Sequence, residues 1–126
     1  MYKFIRYLLL LPLLAAGLVQ AAGQPFDQAA FDTLQQQGRP VLVSIHADWC
    51  PTCRAQEPIL SELLKTPELQ AITALRVDFD KQKPVVKAFR VQYQSTLIVF
   101  KGGKEVGRST GDTRKDSIAA LLNKAL

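Results

Sequence analysis

The chain has 126 residues, enough for one domain, and 48% of them are hydrophobic, which allows one modest core. Its formal net charge is +5 at pH 7, and the 16 lysines and arginines are scattered along the chain rather than clustered. This distribution lacks the basic patch of a nucleic-acid-binding surface, so we expect no nucleic-acid partner.

The N-terminal segment has the order of a secretory signal peptide. Lys3 and Arg6 supply a short positive stretch, an apolar run extends to Val19, and Ala21 ends a candidate cleavage site made of small residues. We therefore predict a signal peptide over residues 1–21 and a folded domain over the remainder, 22–126.

The alternative is an uncleaved anchor helix from Ile5 to Ala22, although this apolar run is short for a membrane span. In both cases the folded part lies outside the cytoplasm, in the periplasm or an equivalent exported location. Cleavage after Ala21 would leave 105 of the 126 residues and lower the net charge from +5 to +3, because Lys3 and Arg6 are lost.

Helical and strand-like patterns alternate along the rest of the chain. Apolar residues recur at helical spacing between Phe26 and Leu34, with Asp27 as a candidate N-cap and Gly38 as a stop signal. Residues 41–47 are nearly all apolar and rich in β-branched side chains. This pattern predicts a central strand that is covered on both faces.

The elements predicted after this strand are a helix that follows Cys50 and extends to Lys65, a strand over Thr73–Phe79, a short helix over Pro84–Phe89, strands over Ser95–Lys101 and Lys104–Ser109, and a last helix bearing Ile118, Leu121, Leu122 and Ala125. Gly102-Gly103 is a strong hairpin signal, because both positions can adopt positive φ. Asp112 or Thr113 can cap the last helix. The predicted order is α-β-α-β-α-β-β-α.

The segment Trp49-Cys50-Pro51-Thr52-Cys53 lies between the first predicted strand and the next helix, and it contains the only two cysteines and the only tryptophan. Cysteines at this spacing can form a disulfide, and unpaired N–H groups at a helix start favour a thiolate. A disulfide that closes so short a loop would add little stability, because the gain grows with loop length. The spacing therefore favours a redox-active pair.

Two alternatives remain for the cysteine pair. A structural disulfide would fit an exported protein in an oxidising compartment. The pair could also be half of a zinc site, but such a site needs two further Cys or His ligands and the chain offers only His46. We therefore expect neither a metal nor another cofactor.

Four stretches of the sequence resemble the thioredoxin superfamily. They are Ala47-Asp48-Trp49-Cys50-Pro51-Thr52-Cys53, Pro58-Ile59-Leu60, Val77-Asp78-Phe79-Asp80 and the run from Thr96 to Gly103. The resemblance covers residues 26–126 and implies an α/β thioredoxin fold, with a mixed four-stranded sheet in the spatial order 2-1-3-4 flanked by helices. Pro51-Thr52 followed by Arg54-Ala55 is similar to exported thioredoxins that reduce apocytochromes for haem attachment, although the insert those proteins carry is missing.

The resemblance implies that Cys50 is the nucleophile that attacks a substrate disulfide, and that Cys53 resolves the mixed disulfide. From its place at the helix start, Cys50 is expected to be the accessible thiol of low pKa and Cys53 the shielded one. Trp49 is implied as a partly exposed wall beside the site, with plain packing as the alternative. Pro51 fits the first helical turn, and the backbone N–H of Thr52 is expected to point toward Cys50.

Three positions depart from the usual thioredoxin pattern. Ser44 stands where a buried aspartate helps to move the proton of the second cysteine, so Cys53 must lose its proton through water or less efficiently. His46 stands where an aromatic residue is common; we expect it to be packed or hydrogen-bonded, with a catalytic role as the alternative. Ser95, which together with Thr96 is expected to bind substrate or shape the site, replaces a cis-proline.

The Gln94–Ser95 bond is expected to be trans, because a cis bond costs about 0.5–1 kcal/mol before proline but about 3–4 kcal/mol before other residues. A cis bond kept at the expense of stability is the alternative. Serine also brings a hydroxyl and an N–H that proline lacks close to the sulfur of Cys50. Extra donors favour the thiolate, so we expect Ser95 to make the pair more oxidising.

The predicted function is that of an exported thiol–disulfide oxidoreductase that exchanges the Cys50–Cys53 pair with protein substrates. We expect a monomeric reductant supplied by a membrane electron donor. The alternative within this class is a disulfide oxidase or isomerase, although neither an inserted helical domain nor a dimerisation domain is evident. A non-enzymatic binding module of the same fold is the alternative from another class, favoured by the loss of proline at position 95.

Overall fold

The computed structural model describes residues 23–126, and the predicted signal peptide lies outside them. In chain order the elements are β1 (Gln24–Pro25), α1 (Gln28–Gln36), β2 (Val41–His46), α2 (Pro51–Leu63), β3 (Thr73–Asp78), α3 (Lys83–Ala88), β4 (Thr96–Lys101), β5 (Lys104–Thr110) and α4 (Lys115–Asn123). None of the helices in this part of the chain is both long and apolar enough to cross a membrane.

Five strands form one mixed sheet in the spatial order β1-β3-β2-β4-β5. β2 is parallel to β3 and antiparallel to β4, which in turn pairs antiparallel with β5. The four predicted strands correspond to β2 to β5, so the α/β fold and the predicted order 2-1-3-4 are confirmed. The additional strand β1, which pairs in parallel with β3, was not predicted, because two residues give no periodic pattern.

β2 is the central strand, and all six of its residues are buried. Leu42 faces a core formed with α2 and α4, whereas Val41, Val43 and Ile45 face a second core that includes Phe26 and residues of α3. Burial of one such aliphatic side chain contributes about 1.5–3 kcal/mol to folding. The prediction of a strand covered on both faces is therefore confirmed.

Local signals set most of the element ends. The predicted cap of α1 is confirmed, because the Asp27 carboxylate accepts a hydrogen bond from the backbone N–H of Ala30 at 3.0 Å. The predicted cap of α4 is wrong. Arg114 precedes that helix, and Asp112 instead accepts hydrogen bonds from the Arg114 backbone and the Ser117 hydroxyl, which closes the turn before the helix.

The predicted hairpin between β4 and β5 is also confirmed, since Gly102 and Gly103 have φ values of 58° and 79°.

Two loops meet at the carboxyl end of β2 and form the site. One loop leads from β2 into α2, and the other leads into β4. The backbone N–H of Ser95 donates to the carbonyl of Ile45 at 2.8 Å and so fixes the second loop against β2.

Candidate active site

Cys50 and Cys53 lie at the N-terminus of α2. Cys50 is the N-cap in an extended conformation, and Pro51 is the first helical residue, as its fixed φ favours. The backbone N–H of Cys53 points to the Cys50 sulfur at 3.4 Å. The donor is therefore Cys53 and not Thr52 as predicted, because this N-cap side chain accepts from the third helical residue.

Both cysteines are free thiols, and both are buried. The exposed fraction is 4% for Cys50 and 2% for Cys53, and Ala47 and Phe79 pack against the pair. The predicted contrast between an accessible Cys50 and a shielded Cys53 is therefore wrong as regards exposure. Position at a helix start does not ensure exposure when a second loop packs over it.

Ser95 is the residue of that second loop that contacts the cysteines. Its hydroxyl oxygen lies 3.3 Å from the Cys50 sulfur and 3.0 Å from the Cys53 sulfur. A hydroxyl carries one hydrogen and two lone pairs, so it can donate to one sulfur while it accepts from the other. The predicted proximity of Ser95 to Cys50 is confirmed, and the contact with Cys53 is an addition to it.

The two thiols differ in pKa. Burial raises the pKa of Cys50, but hydrogen bonds from the Ser95 hydroxyl and the Cys53 backbone N–H outweigh burial and lower that pKa to about 7. Burial raises the pKa of Cys53 as well, and there the hydrogen bond with the Ser95 hydroxyl offsets the effect of burial only in part. Cys50 is therefore the thiol that ionises near neutral pH, and Cys53 holds its proton.

The backbone at Ser95 has an unusual conformation. No peptide bond within residues 23–126 is cis, so the predicted trans bond before Ser95 is confirmed, and its φ is 63°. A left-handed φ in a residue other than glycine costs on the order of 1–3 kcal/mol. Backbone contacts offset this cost, because Ser95 donates to the Ile45 carbonyl while its own carbonyl accepts from the Gly111 N–H at 3.0 Å.

Comparison with known proteins agrees with this geometry. Residues 22–124 match the family model described as Thioredoxin. A curated thioredoxin of Chlamydia trachomatis serovar D is 40% identical over 84 residues, which is 67% of this chain and 80% of that protein. This chain belongs to the thioredoxin family. It is therefore a thiol–disulfide oxidoreductase, and thioredoxins act on disulfides of protein substrates.

Solved structures support the assignment. Trxlp from Edwardsiella tarda EIB202 is 43% identical, with a TM-score of 0.76 over 78% of this chain and 95% of that one. A thioredoxin of Fasciola hepatica is 26% identical, with a TM-score of 0.68 over 78% of this chain and 93% of that one. The predicted superfamily and fold are thus confirmed.

Trp49 and Asp80 form one side of this thioredoxin's site. The indole of Trp49 is 59% exposed, and its Nε1–H donates to the Asp80 carboxylate at 2.7 Å. The hydrogen bond restrains the ring without burying it. This position fits the partly exposed wall that the sequence predicts, and its contact with substrate stays a prediction.

Thr96 lies on the other side and shapes the site indirectly. It is buried, its hydroxyl donates to the carbonyl of Tyr93 at 2.8 Å, and the same oxygen lies 3.0 Å from the Thr110 hydroxyl. These contacts close the loop that carries Ser95. Within the described residues no three His, Cys, Asp or Glu side chains are grouped closely enough to hold a metal ion.

Gln56 is a residue of this site that was not predicted. It is buried, and its amide donates to the carbonyl of Ser95 at 3.1 Å and to that of Asp112 at 2.8 Å. It thereby ties the loop before β4 and the loop between β5 and α4 to α2. The sequence carried a usable signal, because Gln56 is three residues after Cys53 and four before Leu60 and so lies on the buried face of the helix.

We expect brief alkylation of the reduced thioredoxin to label Cys50 before Cys53. Only the thiolate reacts, so the rate at Cys50 should rise as the pH passes through about 7 and level off above it. Mass spectrometry of the digested protein locates the label. The Cys50→Ser variant is the control, and its remaining thiol should react only at a much higher pH. Faster labelling of Cys53 in the parent protein would reverse the two roles.

Proposed function

We propose that this thioredoxin is exported and works as a monomeric reductant of protein disulfides, re-reduced by an electron donor in the membrane. The N-terminal order of positive, apolar and small residues supports export. A reductant in an oxidising compartment needs a continuous supply of electrons. A membrane donor is the kind of partner that can carry them there.

The observation that best supports reduction is the environment of the Cys50 sulfur. It receives one hydroxyl contact and one backbone N–H, and its pKa is lowered only to about 7. Thiols of this type have a pKa of about 7 in reducing thioredoxins and about 3.5 in a strongly oxidising relative. A modestly stabilised thiolate leaves the reduced pair ready to pass its electrons on.

The proposed cycle uses both thiols. The Cys50 thiolate attacks one sulfur of a substrate disulfide, and the other substrate sulfur leaves with the electron pair. Cys53 then loses its proton and attacks Cys50, which releases the second substrate sulfur. The substrate gains two electrons, and the Cys50–Cys53 pair ends as a disulfide.

The second candidate is a disulfide oxidase, and Ser95 is the observation that favours it. A hydroxyl in contact with both sulfurs stabilises the reduced pair, which makes a couple more oxidising. A pure binding module is less well supported. Two free thiols with pKa values shifted in opposite directions are what an exchange reaction requires, and binding alone does not need them.

The redox equilibrium with glutathione tests the direction of electron flow. Potentials are about −270 mV for thioredoxin, about −180 mV for protein disulfide isomerase and about −120 mV for a strong oxidase. We expect a value closest to that of thioredoxin, and a pair that alkylation trapping finds mostly reduced in cells. A potential near the oxidase value, with the pair oxidised in cells, would support the second candidate instead.

Export is tested by cell fractionation of the full chain beside a version that starts at residue 22. The full chain should appear in the periplasm with a mass that lacks residues 1–21, and the shortened chain should stay in the cytoplasm. Recovery of the uncleaved chain in the membrane fraction would support the anchor alternative. Sedimentation of the periplasmic form then checks that it is a monomer.

A further inference from the structure

A small cavity with both polar and apolar lining residues lies beside Cys53. Its volume is about 10 Å³, and its lining includes Cys53 and Glu57 of α2, Ser44 and His46 of β2, and Arg76 of β3. A cavity of roughly this volume with several polar groups can hold one water molecule. The second thiol of the pair therefore has a polar space next to it that is separate from the Cys50 contact.

His46 supplies the imidazole of this lining. Its side chain is buried, and Nε2 lies 2.9 Å from the carboxylate of Asp48. An ionised carboxylate can only accept, so Nε2 carries the hydrogen and Nδ1 keeps a lone pair that can accept a proton. The Asp48 side chain is 90% exposed, which connects the buried ring to solvent.

The other polar groups of the cavity are less suited to accept a proton. Ser44 is a hydroxyl, which does not act as a base at neutral pH. The Glu57 carboxylate is already paired with the Arg76 guanidinium at 2.5 Å. An imidazole, in contrast, changes its charge between roughly pH 5 and 8.

We propose that His46 accepts the proton of Cys53 through a water in this cavity, and that Asp48 positions the imidazole for this step. The S–H bond of Cys53 breaks, its sulfur forms the bond to Cys50, and the substrate sulfur leaves with the electron pair. The proton passes to His46 and then to solvent. The inference rests on thiol–disulfide exchange and not on its direction, because the imidazolium returns the proton when the reaction runs backward.

The charges around His46 fit this role. The Asp48 carboxylate on the following loop contacts its Nε2, Glu57 on α2 lines the same cavity, and Asp78 lies opposite it in the β2–β3 register. They favour the imidazolium that forms when the proton arrives. The positive charge of Arg76 disfavours the imidazolium. The Arg76 guanidinium is paired more closely with Glu57, at 2.5 Å, than with Asp48, at 3.9 Å. The carboxylates therefore outnumber the single guanidinium.

The test uses a chromogenic aromatic disulfide, which releases one coloured thiol when Cys50 attacks and a second when Cys53 resolves the adduct. In stopped flow we expect His46→Gln to slow the second phase at pH 7 by about a hundredfold, the lower end of the usual contribution of general acid–base catalysis. The first phase should stay within about twofold. Glutamine can still donate to Asp48 but cannot take up a proton at neutral pH.

The pH profile separates a proton acceptor from a packing residue. In the parent protein the second phase should accelerate between about pH 5 and 8, whereas in His46→Gln it should rise only as Cys53 itself ionises. Asp48→Asn should reduce the second phase less than His46→Gln does. A His46→Gln variant with the parent profile, or one in which both phases slow equally, would overturn the proposal.

Glu57→Gln is the matched control, because it removes the carboxylate that lines the cavity. We expect its second phase to keep the parent pH profile. Loss of the profile in Glu57→Gln with its retention in His46→Gln would assign the proton to Glu57 and overturn the proposal. Thermal unfolding of each variant, together with the first-phase rate, shows whether the site is still assembled.

Discussion

The Cys50→Ser variant is expected to lose all insulin-disulfide reduction above the dithiothreitol background. A serine hydroxyl does not ionise near neutral pH and cannot form a disulfide, whereas the pKa of Cys50 is about 7 and about half of it is thiolate at that pH. The measurement is the onset of insulin precipitation at fixed dithiothreitol. Serine is close to cysteine in size, so the fold should be kept.

The matched variant is Cys53→Ala, which keeps the nucleophile and removes the resolving thiol. We expect it to accumulate mixed disulfides with client proteins through Cys50, visible as adducts on gels run without reductant. The double variant Cys50→Ser/Cys53→Ala should give none. Insulin reduction that survives in Cys50→Ser would assign the attack to a group other than Cys50. An absence of insulin reduction by the parent protein, together with an absence of adducts for Cys53→Ala, would support the binding-module alternative.

Most of the fold could be predicted because its signals are local. The buried run of β2, the hairpin glycines and the helical spacing in α2 each lie within one short segment. The predicted bounds of β2, β3, β4 and β5 differ from the observed ones by one residue at one end, and those of α3 by one residue at both ends. The α4 cap failed because Asp112 has two competing local partners. β1 failed because its place depends on β3, which is distant in sequence.

The site was less predictable, because its decisive contacts join residues far apart in sequence. The sequence predicted the order of the two pKa values from the position of Cys50 at the start of α2, although the Ser95 hydroxyl of another loop contributes most to the lowering. The burial of Cys50 was not predictable, since it depends on how the loop before β4 packs over the helix start. The pairing of Trp49 with Asp80 and the ties that Gln56 makes are likewise invisible until the loops are placed.

For Ser95, one contact could be predicted from the sequence and the other could not. Its nearness to Cys50 follows from the resemblance and from the chemistry of a hydroxyl in place of a proline ring. Its contact with Cys53 depends on a φ of 63°, a conformation that serine seldom adopts and that no sequence pattern indicated. The hydroxyl is therefore positioned by the backbone contacts of Ile45 and Gly111 as much as by the residue type.

Replacing Ser95 by alanine is expected to raise the pKa of Cys50 from about 7 by about one to two units. A hydrogen bond to a charged group contributes about 1.5–3 kcal/mol, and one pKa unit corresponds to about 1.4 kcal/mol. Titration of the thiolate absorbance measures the shift. Ser95→Gly is the matched control, since it also removes the hydroxyl but accepts positive φ without strain. An unchanged or lowered pKa in both variants would contradict the role of the hydroxyl.

Ser95→Pro is a less clean test of the same contact, although it should also raise the pKa of Cys50. Proline fixes φ near −65°, whereas the position has φ 63°, and it removes the N–H that donates to the Ile45 carbonyl. Leaving that buried carbonyl unpaired costs about 1–3 kcal/mol. We therefore expect this variant to be less stable than Ser95→Gly in thermal unfolding, independently of its redox behaviour.

The same contact should make the redox potential depend on pH in a way that differs between the parent protein and Ser95→Ala. A lowered thiol pKa stabilises the reduced form only where the thiolate exists. The stabilisation is therefore complete above the raised pKa of the variant and is lost as the pH falls below about 7. At high pH the variant should be more reducing by about 30–60 mV, which is about 1.5–3 kcal/mol for a two-electron couple. Below pH 7 the two potentials should converge.

Glutathione equilibria at pH 6 and pH 9 measure both limits. An offset of equal size at the two pH values would show that Ser95 acts on the disulfide form instead of the thiolate.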